Sequence, residues 1–193
     1  MGFQIEDGLG SGKQVGVADD NRLNVTAKTM DRIYYCSRDM GDAFSIIATD
    51  SAPATGEVTL WIQNNSATQF VVHRVMTSSV SADAVFKMWN TTGQTGAGAD
   101  VITPQALNLA SSLIASLTVR GGITTSGGVT GLTATASQTK MLRYWANGPA
   151  YNTHTLDFTD TLRIGQNQSI GIEYDAGSLG AISIVVLGYF DEY

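Results

Sequence analysis

From about Gly41 to the C-terminus, the chain consists of short runs in which apolar and polar residues alternate. A period of two places successive side chains on opposite faces, so it indicates β-strands with one buried face. Turn-forming residues separate the runs at spacings of about 8 to 12 residues, which suit a sandwich or jelly roll. We therefore expect an all-β domain over residues 41–193, a jelly-roll-like antiparallel β-sandwich. The clearest runs are Glu57–Gln63, Gln69–Met76, Asp83–Trp89, Ser169–Tyr174 and Ala181–Phe190.

Further runs extend this pattern along the chain. We predict strands also at Asp42–Thr49, Ile114–Arg120, Val129–Thr135, Thr139–Trp145, Thr153–Thr159 and Thr161–Ile164.

One segment allows two interpretations. Thr103–Pro104 has the residue types that begin a helix, with Thr at the N-cap and Pro at the first helical position. The apolar residues from Leu107 to Val119 also follow a period of two, with Ser111–Ser112 as a turn. We favour two strands here because the rest of the chain is β.

Residues 1–40 differ from the rest, because glycines interrupt short apolar pieces. We predict an extended N-terminal arm with a short hairpin, in which Gln14–Val17 pairs with Leu23–Thr26. Apolar side chains spaced in this way cannot build a core by themselves, yet they exceed what a solvated tail usually carries. We expect five of them to bind a partner: Phe3, Ile5, Leu9, Val15 and Val17.

The charge distribution argues against nucleic-acid binding. The formal net charge is −6, and six acidic residues but only Arg163 as a basic one occur between Asp157 and Tyr193. Affinity for a phosphate backbone comes from Lys and Arg displacing counterions. No apolar run approaches the roughly 20 residues of a membrane helix, and no secretory signal is present. We expect a protein made in a cytoplasm that binds neither nucleic acid nor membrane.

Residues that carry catalytic chemistry are scarce. His73 and His154 lie in predicted strands without a Cys or carboxylate at metal-ligand spacing, and Cys36 is the only cysteine. Asp157 and Asp160 would point to opposite faces of a strand, which is wrong for a pair of catalytic carboxylates. We therefore predict no enzymatic activity, no catalytic residues, no metal and no cofactor.

Four segments carry a resemblance to a known group of proteins. Gly2–Gly12, Asn21–Val25, Ile102–Ser112 and Leu162–Ile172 resemble segments of small virion proteins from tailed bacteriophages. These matches are turn and strand patterns, and they cover about half of the chain. In the last segment, Gln166–Asn167 stands where that group usually has a Pro-Gly type of turn.

The resemblance implies an auxiliary head protein that decorates or cements the outer surface of a capsid, commonly as a trimer. The expected partners are then the major capsid protein and further copies of this chain, and the expected location is the capsid surface after assembly in the bacterial cytoplasm. A competing interpretation is a phage tail or fibre-tip module that binds host glycans. In that case Trp61, Trp89 and Trp145 are candidate platforms for stacking sugars.

Overall fold

The computed structural model describes residues 32–122, 128–132, 140–176 and 180–191. The hairpin expected between Gln14–Val17 and Leu23–Thr26 lies outside these residues, as does part of the strand expected over Val129–Thr135. The elements are α1 (Arg32–Tyr35), a π-helical turn (Cys36–Met40), β1 (Ala43–Asp50), β2 (Glu57–Asn64), β3 (Gln69–Ser79), β4 (Val85–Asn90), β5 (Asp100–Val101), β6 (Gln105–Ala106), β7 (Leu117–Gly121), β8 (Lys140–Ala146), β9 (Thr153–Ile164), β10 (Ser169–Ala176) and β11 (Ile182–Asp191).

Two antiparallel sheets form the expected β-sandwich. The first sheet has five strands in the order β6-β1-β11-β3-β9, and the second has six in the order β5-β7-β2-β10-β4-β8. From β1 to β4, and again from β8 to β11, successive strands alternate between the two sheets. The chain therefore crosses from one layer to the other at most of the connections between these strands.

The core lies between the sheets because each strand turns alternate side chains inward. In β1, Phe44, Ile46 and Ala48 are buried, whereas Ile47 and Thr49 face outward. The same alternation in the other long strands builds one continuous apolar cluster. Burial of each large apolar side chain contributes about 1.5–3 kcal/mol, so this pattern is the main reason that the sequence folds as a sandwich.

β9 is one strand with a pronounced bulge, where the sequence predicts two strands. Thr159 and Asp160 have φ of 43° and 64°, values that residues other than glycine rarely adopt. Val72 pairs with Leu162 and Arg74 with Asp157, so residues 158–161 lie opposite one residue of β3. A bulge of this kind redirects side chains without ending the strand.

Residues 32–40, which the sequence analysis includes in the extended arm, are helical. Cys36 is buried against the first sheet, and this packing explains why the segment is not extended. The cluster consists of Cys36, Ala43, Val71 and Tyr189, with Ile33 and Tyr35 packed against it. No helix among the described residues is long and apolar enough to cross a membrane.

The segment after Thr103 is neither a helix nor a pair of long strands. Only Gln105–Ala106 pairs with β1, and the chain is irregular until β7 begins at Leu117. Polar side chains account for this: Asn108 Oδ1 accepts the N–H of Ala110, and Ser111 Oγ accepts the N–H of Leu113. Such local bonds compete with the backbone bonds of regular structure.

Candidate functional site

The five residues predicted to bind a partner lie outside the described residues: Phe3, Ile5, Leu9, Val15 and Val17. Their role therefore stays a prediction. The described chain begins at Arg32, and the surface around this point is the candidate site.

An ion-pair network holds the start of α1 to the end of β11. Arg32 Nη2 donates to Asp191 Oδ1 at 2.8 Å, and Arg163 Nη1 donates to Asp191 Oδ2 at 2.7 Å. Burial alone would raise the pKa of Asp191, but the hydrogen bonds from Arg163 and Arg32 outweigh it and hold this pKa below its usual value. The carboxylate of Asp191 thus fixes the helical segment to the first sheet.

Cys36, the residue that begins the π-helical turn, is unsuited to nucleophilic chemistry. Burial raises the pKa of its thiol to about 11, so the thiol is neutral at pH 7, whereas the thiolate is the reactive form. Burial also raises the pKa of the nearby Tyr189 hydroxyl, and its hydrogen bond to Asp160 adds to the shift. Asp160 Oδ1 also lies 3.3 Å from His73 Nδ1. These polar contacts link Tyr189 of β11 and His73 of β3 to the bulge of β9.

A loop over residues 107–114 packs beside this helical segment. The N–H of Leu107 donates to the carbonyl of Ala43 at 2.8 Å, and Ser111 Oγ donates to the carbonyl of Gly41 at 3.2 Å. Gly41 has a φ of 76°, and a Cβ there would lie only 2.6 Å from Ser111 Oγ, so glycine is required on both counts. With the bonds made by Asn108 and Ser111 within the loop, these contacts fix its conformation.

This ordered loop exposes large apolar side chains. Leu109 is 96% exposed and Ile114 is 86% exposed, and Leu107 and Leu113 are exposed as well. Met40 is also exposed, next to Gly41, which contacts the loop. We call Met40, Leu107, Leu109, Leu113 and Ile114 the apolar end of the sandwich. A group of exposed apolar side chains on an ordered loop is a candidate surface for contact with another protein.

The apolar end was not predicted from the sequence, because Met40 was assigned to the N-terminal arm and the other four residues were assigned to strands or to a helix with a buried face. Asn108, Ser111 and Ser112 are the signal that could have located the loop. Their side chains favour turns over regular structure. Leucines placed among such residues are poorly suited to a core.

The two carboxylates of β9 contact different partners, and the bulge over residues 158–161 breaks the regular alternation on which the sequence prediction rested. Asp157 accepts a hydrogen bond from Arg74 Nη2 at 2.9 Å, and this bond is the main reason that the pKa of Asp157 is lowered. Asp160 instead contacts His73. Among the described residues, no group of three or more His, Cys, Asp or Glu side chains could hold a metal ion.

The three tryptophans do not form a common platform. Trp61 and Trp145 are buried, and each indole N–H donates to a threonine hydroxyl. Trp89 is partly exposed on the second sheet, where its N–H donates to Glu173 Oε2 at 2.7 Å. Two of the three candidates for stacking a sugar are therefore core residues.

Comparison with known proteins leaves the function open. No family model matches the chain, and no curated protein and no solved structure matches it. The resemblance to phage virion proteins thus stays a hypothesis, and the apolar end is the feature with the clearest functional meaning.

Proposed function

We propose that this protein is a structural virion protein, a decoration or cement protein that binds and stabilises the outer surface of a bacteriophage head. The observation that carries the proposal is the apolar end, in which Leu109 and Ile114 project from a loop fixed by hydrogen bonds. A surface ordered before binding loses less conformational entropy on association. Such a surface suits lasting attachment to the major capsid protein.

The expected strength of the contact made by the apolar end suits binding to a capsid, which offers many identical sites. Burying Leu109 and Ile114 together would contribute about 3–6 kcal/mol before the cost of association is subtracted. One such contact gives weak binding. Several copies that act together on a regular lattice gain avidity and bind far more tightly.

The N-terminal segment would add to the same contact. Residues 1–31 continue from Arg32, which the ion pair with Asp191 holds beside the first sheet. We propose that Phe3, Ile5 and Leu9 of this segment bind a neighbouring capsid subunit. Attachment by an arm together with a fixed loop is the arrangement that we propose.

The strand order supports a jelly roll as the fold of this domain. Eight long strands, β1 to β4 and β8 to β11, are joined to the three shorter strands β5 to β7. Numbered one to eight in chain order, they lie as 1-8-3-6 in the first sheet and as 2-7-4-5 in the second. Jelly rolls of eight strands occur in viral capsid proteins and in lectins.

We also propose that the protein is a homotrimer, as the resemblance to virion proteins implies. The apolar side chains that do not contact the capsid are then available between copies, where a closed symmetric assembly would bury them. A trimer would present three arms and three loops to the capsid at once.

Co-sedimentation with heads of the encoding phage tests the proposed function. Heads stripped of this protein should bind the wild-type chain, and the double variant L109S/I114S should bind at least tenfold more weakly. Met141→Ser is the matched control, because Met141 is an exposed apolar residue of β8 outside the apolar end. Equal binding by the double variant and the wild type would refute a role for the apolar end.

Copy number separates this proposal from the fibre-tip alternative. A cement protein occurs in hundreds of copies in each virion, whereas a fibre tip occurs in tens at most. Quantitative mass spectrometry of purified virions would therefore decide between them. A low copy number confined to the tail fraction would overturn the head assignment.

A further inference from the structure

A groove of about 380 Å³ crosses the outward face of the first sheet, far from the apolar end. It lies where β1 and β3 end and β11 begins, with the turn before β9 along one side. β1 runs from Ala43, next to the loop of the apolar end, to Asp50 at this groove. At about 3.4 Å per residue, this strand separates the two features by about 24 Å.

The floor of the groove carries a row of hydroxyl groups. Thr49 pairs with Ser183, and Ser183 pairs with Ser78, so these three outward-facing residues are direct neighbours on adjacent strands. Thr153 of β9 continues the row beside Ser78. Adjacent strands are about 4.8 Å apart, which gives a regular line of groups that both donate and accept hydrogen bonds.

An exposed aromatic side chain stands beside this row. Tyr151 is 78% exposed and lines the groove, with a φ of 63°. Its N–H donates to the carbonyl of Ser79 at 2.7 Å. Buried Asn147 holds the same turn, since its side chain accepts from Thr77 Oγ1 and donates to the carbonyl of Asn152. The backbone that carries Tyr151 is thus held in place beside the groove.

The lining of the groove carries little accessible charge. Asp50 is its only acidic residue and is 2% exposed, and no Lys or Arg is among the lining residues. A ligand with a net charge would leave water here without a partner of opposite charge, which is unfavourable. The lining also includes the apolar residues Val80, Ala181 and Ile182. With the row of hydroxyl groups, the groove therefore suits a neutral ligand that offers both hydroxyl groups and apolar C–H faces.

We propose that this groove binds a neutral oligosaccharide. One sugar ring stacks its C–H face on Tyr151, while its hydroxyls exchange hydrogen bonds with Ser78 and Ser183. A second depression of about 370 Å³ shares Thr49 and continues along β1 past Ile47 to Gln105. Together the two depressions accommodate a chain of several rings, rather than one monosaccharide.

This site deepens the proposed function. Only its orientation on a virion rests on that function. If the apolar end faces the capsid, the groove at the other end of β1 faces away from the particle. Bound virions would then carry many copies of a weak saccharide site, which act together on a glycan-coated surface. The saccharide site itself exists on the isolated protein and does not depend on capsid binding.

Titration calorimetry on the full chain tests the proposal with four probes: maltohexaose, cellohexaose, chitohexaose and mannohexaose. At least one should bind, and Tyr151→Ala should weaken its binding at least tenfold, since it removes the stacking surface. Tyr151→Phe should stay within about threefold of the wild type, because the ring remains. Ser78→Ala with Ser183→Ala should also weaken binding. Tyr144→Ala is the matched control, because Tyr144 is an exposed tyrosine on the second sheet.

Two results would overturn the proposal: no probe bound with a Kd below about 10 mM, or binding by Tyr151→Ala equal to that of the wild type. Loss of binding in Tyr144→Ala alone would place the site on the second sheet and would also overturn it. Sedimentation with phage heads is measured on the same variants. Tyr151→Ala should bind heads normally, so failure of the saccharide site and failure of capsid attachment are distinguishable.

Discussion

Arg32 and Asp191 are joined at 2.8 Å, a contact that links the start of α1 to the end of β11. The Asp191 carboxylate is largely buried, and it pairs with Arg163 as well. One carboxylate thus holds α1, β9 and β11 together. Its charge is therefore expected to matter for stability.

Asp191→Asn should lower the free energy of unfolding by about 1–2 kcal/mol at pH 7, because two charge-assisted hydrogen bonds are weakened. The folded-state pKa of Asp191 is depressed, so its contribution is present above the unfolded pKa of about 3.9 and is lost as pH falls through the folded value. Urea unfolding between pH 3 and 7 measures this. The difference between variant and wild type should shrink below about pH 4. Asp157→Asn, at an exposed pair with Arg74, should change little.

The effect of Glu57→Gln on the free energy of unfolding should have a pH dependence opposite to that of Asp191→Asn. Burial is the main cause that raises the pKa of Glu57, and the Asp50 carboxylate beside it adds to the shift. Folding therefore favours the protonated Glu57 carboxyl. Its contribution to stability is present at low pH and is lost as pH rises through the folded-state pKa. The Gln variant should be more stable at pH 7, by of the order of 1 kcal/mol, and equal to the wild type near pH 4. A variant less stable than the wild type at pH 7 would contradict this account.

The proposed trimer predicts a mass in solution of about three times the 20.4 kDa chain. Light scattering behind a sizing column measures it at micromolar concentration. L109S/I114S should stay trimeric if the apolar end contacts the capsid, as we propose. A monomeric wild-type protein would contradict the trimer, and a monomeric double variant would place the apolar end between copies.

Deletion of residues 1–28 should leave a folded body that no longer binds phage heads. The two sheets and their core are built from residues after Arg32, so the melting temperature should change little. Replacing Phe3 and Ile5 by Ser in the full chain should weaken binding in the same assay, because their apolar contacts are lost. If the truncated chain fails to fold, the segment belongs to the sandwich. If it binds heads fully, attachment lies on the body and the role proposed for the arm is wrong.

The strands were predictable because each sheet has one face in the core. Phe44, Ile46 and Ala48 alternate with outward residues, and the periodicity of the sequence shows this directly. Local sequence also marked the turns between most strands. It could not show which strands pair, because pairing depends on contacts between distant residues such as Ala43 and Tyr189.

Neither the helical segment nor the apolar end could be predicted from the periodicity of the sequence. Cys36 and Tyr35 lie in a stretch without periodicity, and their helical conformation follows from a pocket formed by Val71 and Tyr189, which are distant in sequence. Leu109 has the composition of a core residue but is exposed, because Asn108 and Ser111 fix the loop around it. The groove beside Tyr151 likewise depends on residues from four separate segments.

The position of β11 has a consequence for synthesis of the protein. This strand is the last of the eleven, yet it lies between β1 and β3 at the centre of the first sheet. While a ribosome is still making the chain, β1 and β3 have no common neighbour, and their inward apolar faces stay uncovered. The sandwich can therefore close only after β11 has left the ribosome, and a truncation before Ile182 would divide the sheet into two pieces that cannot join.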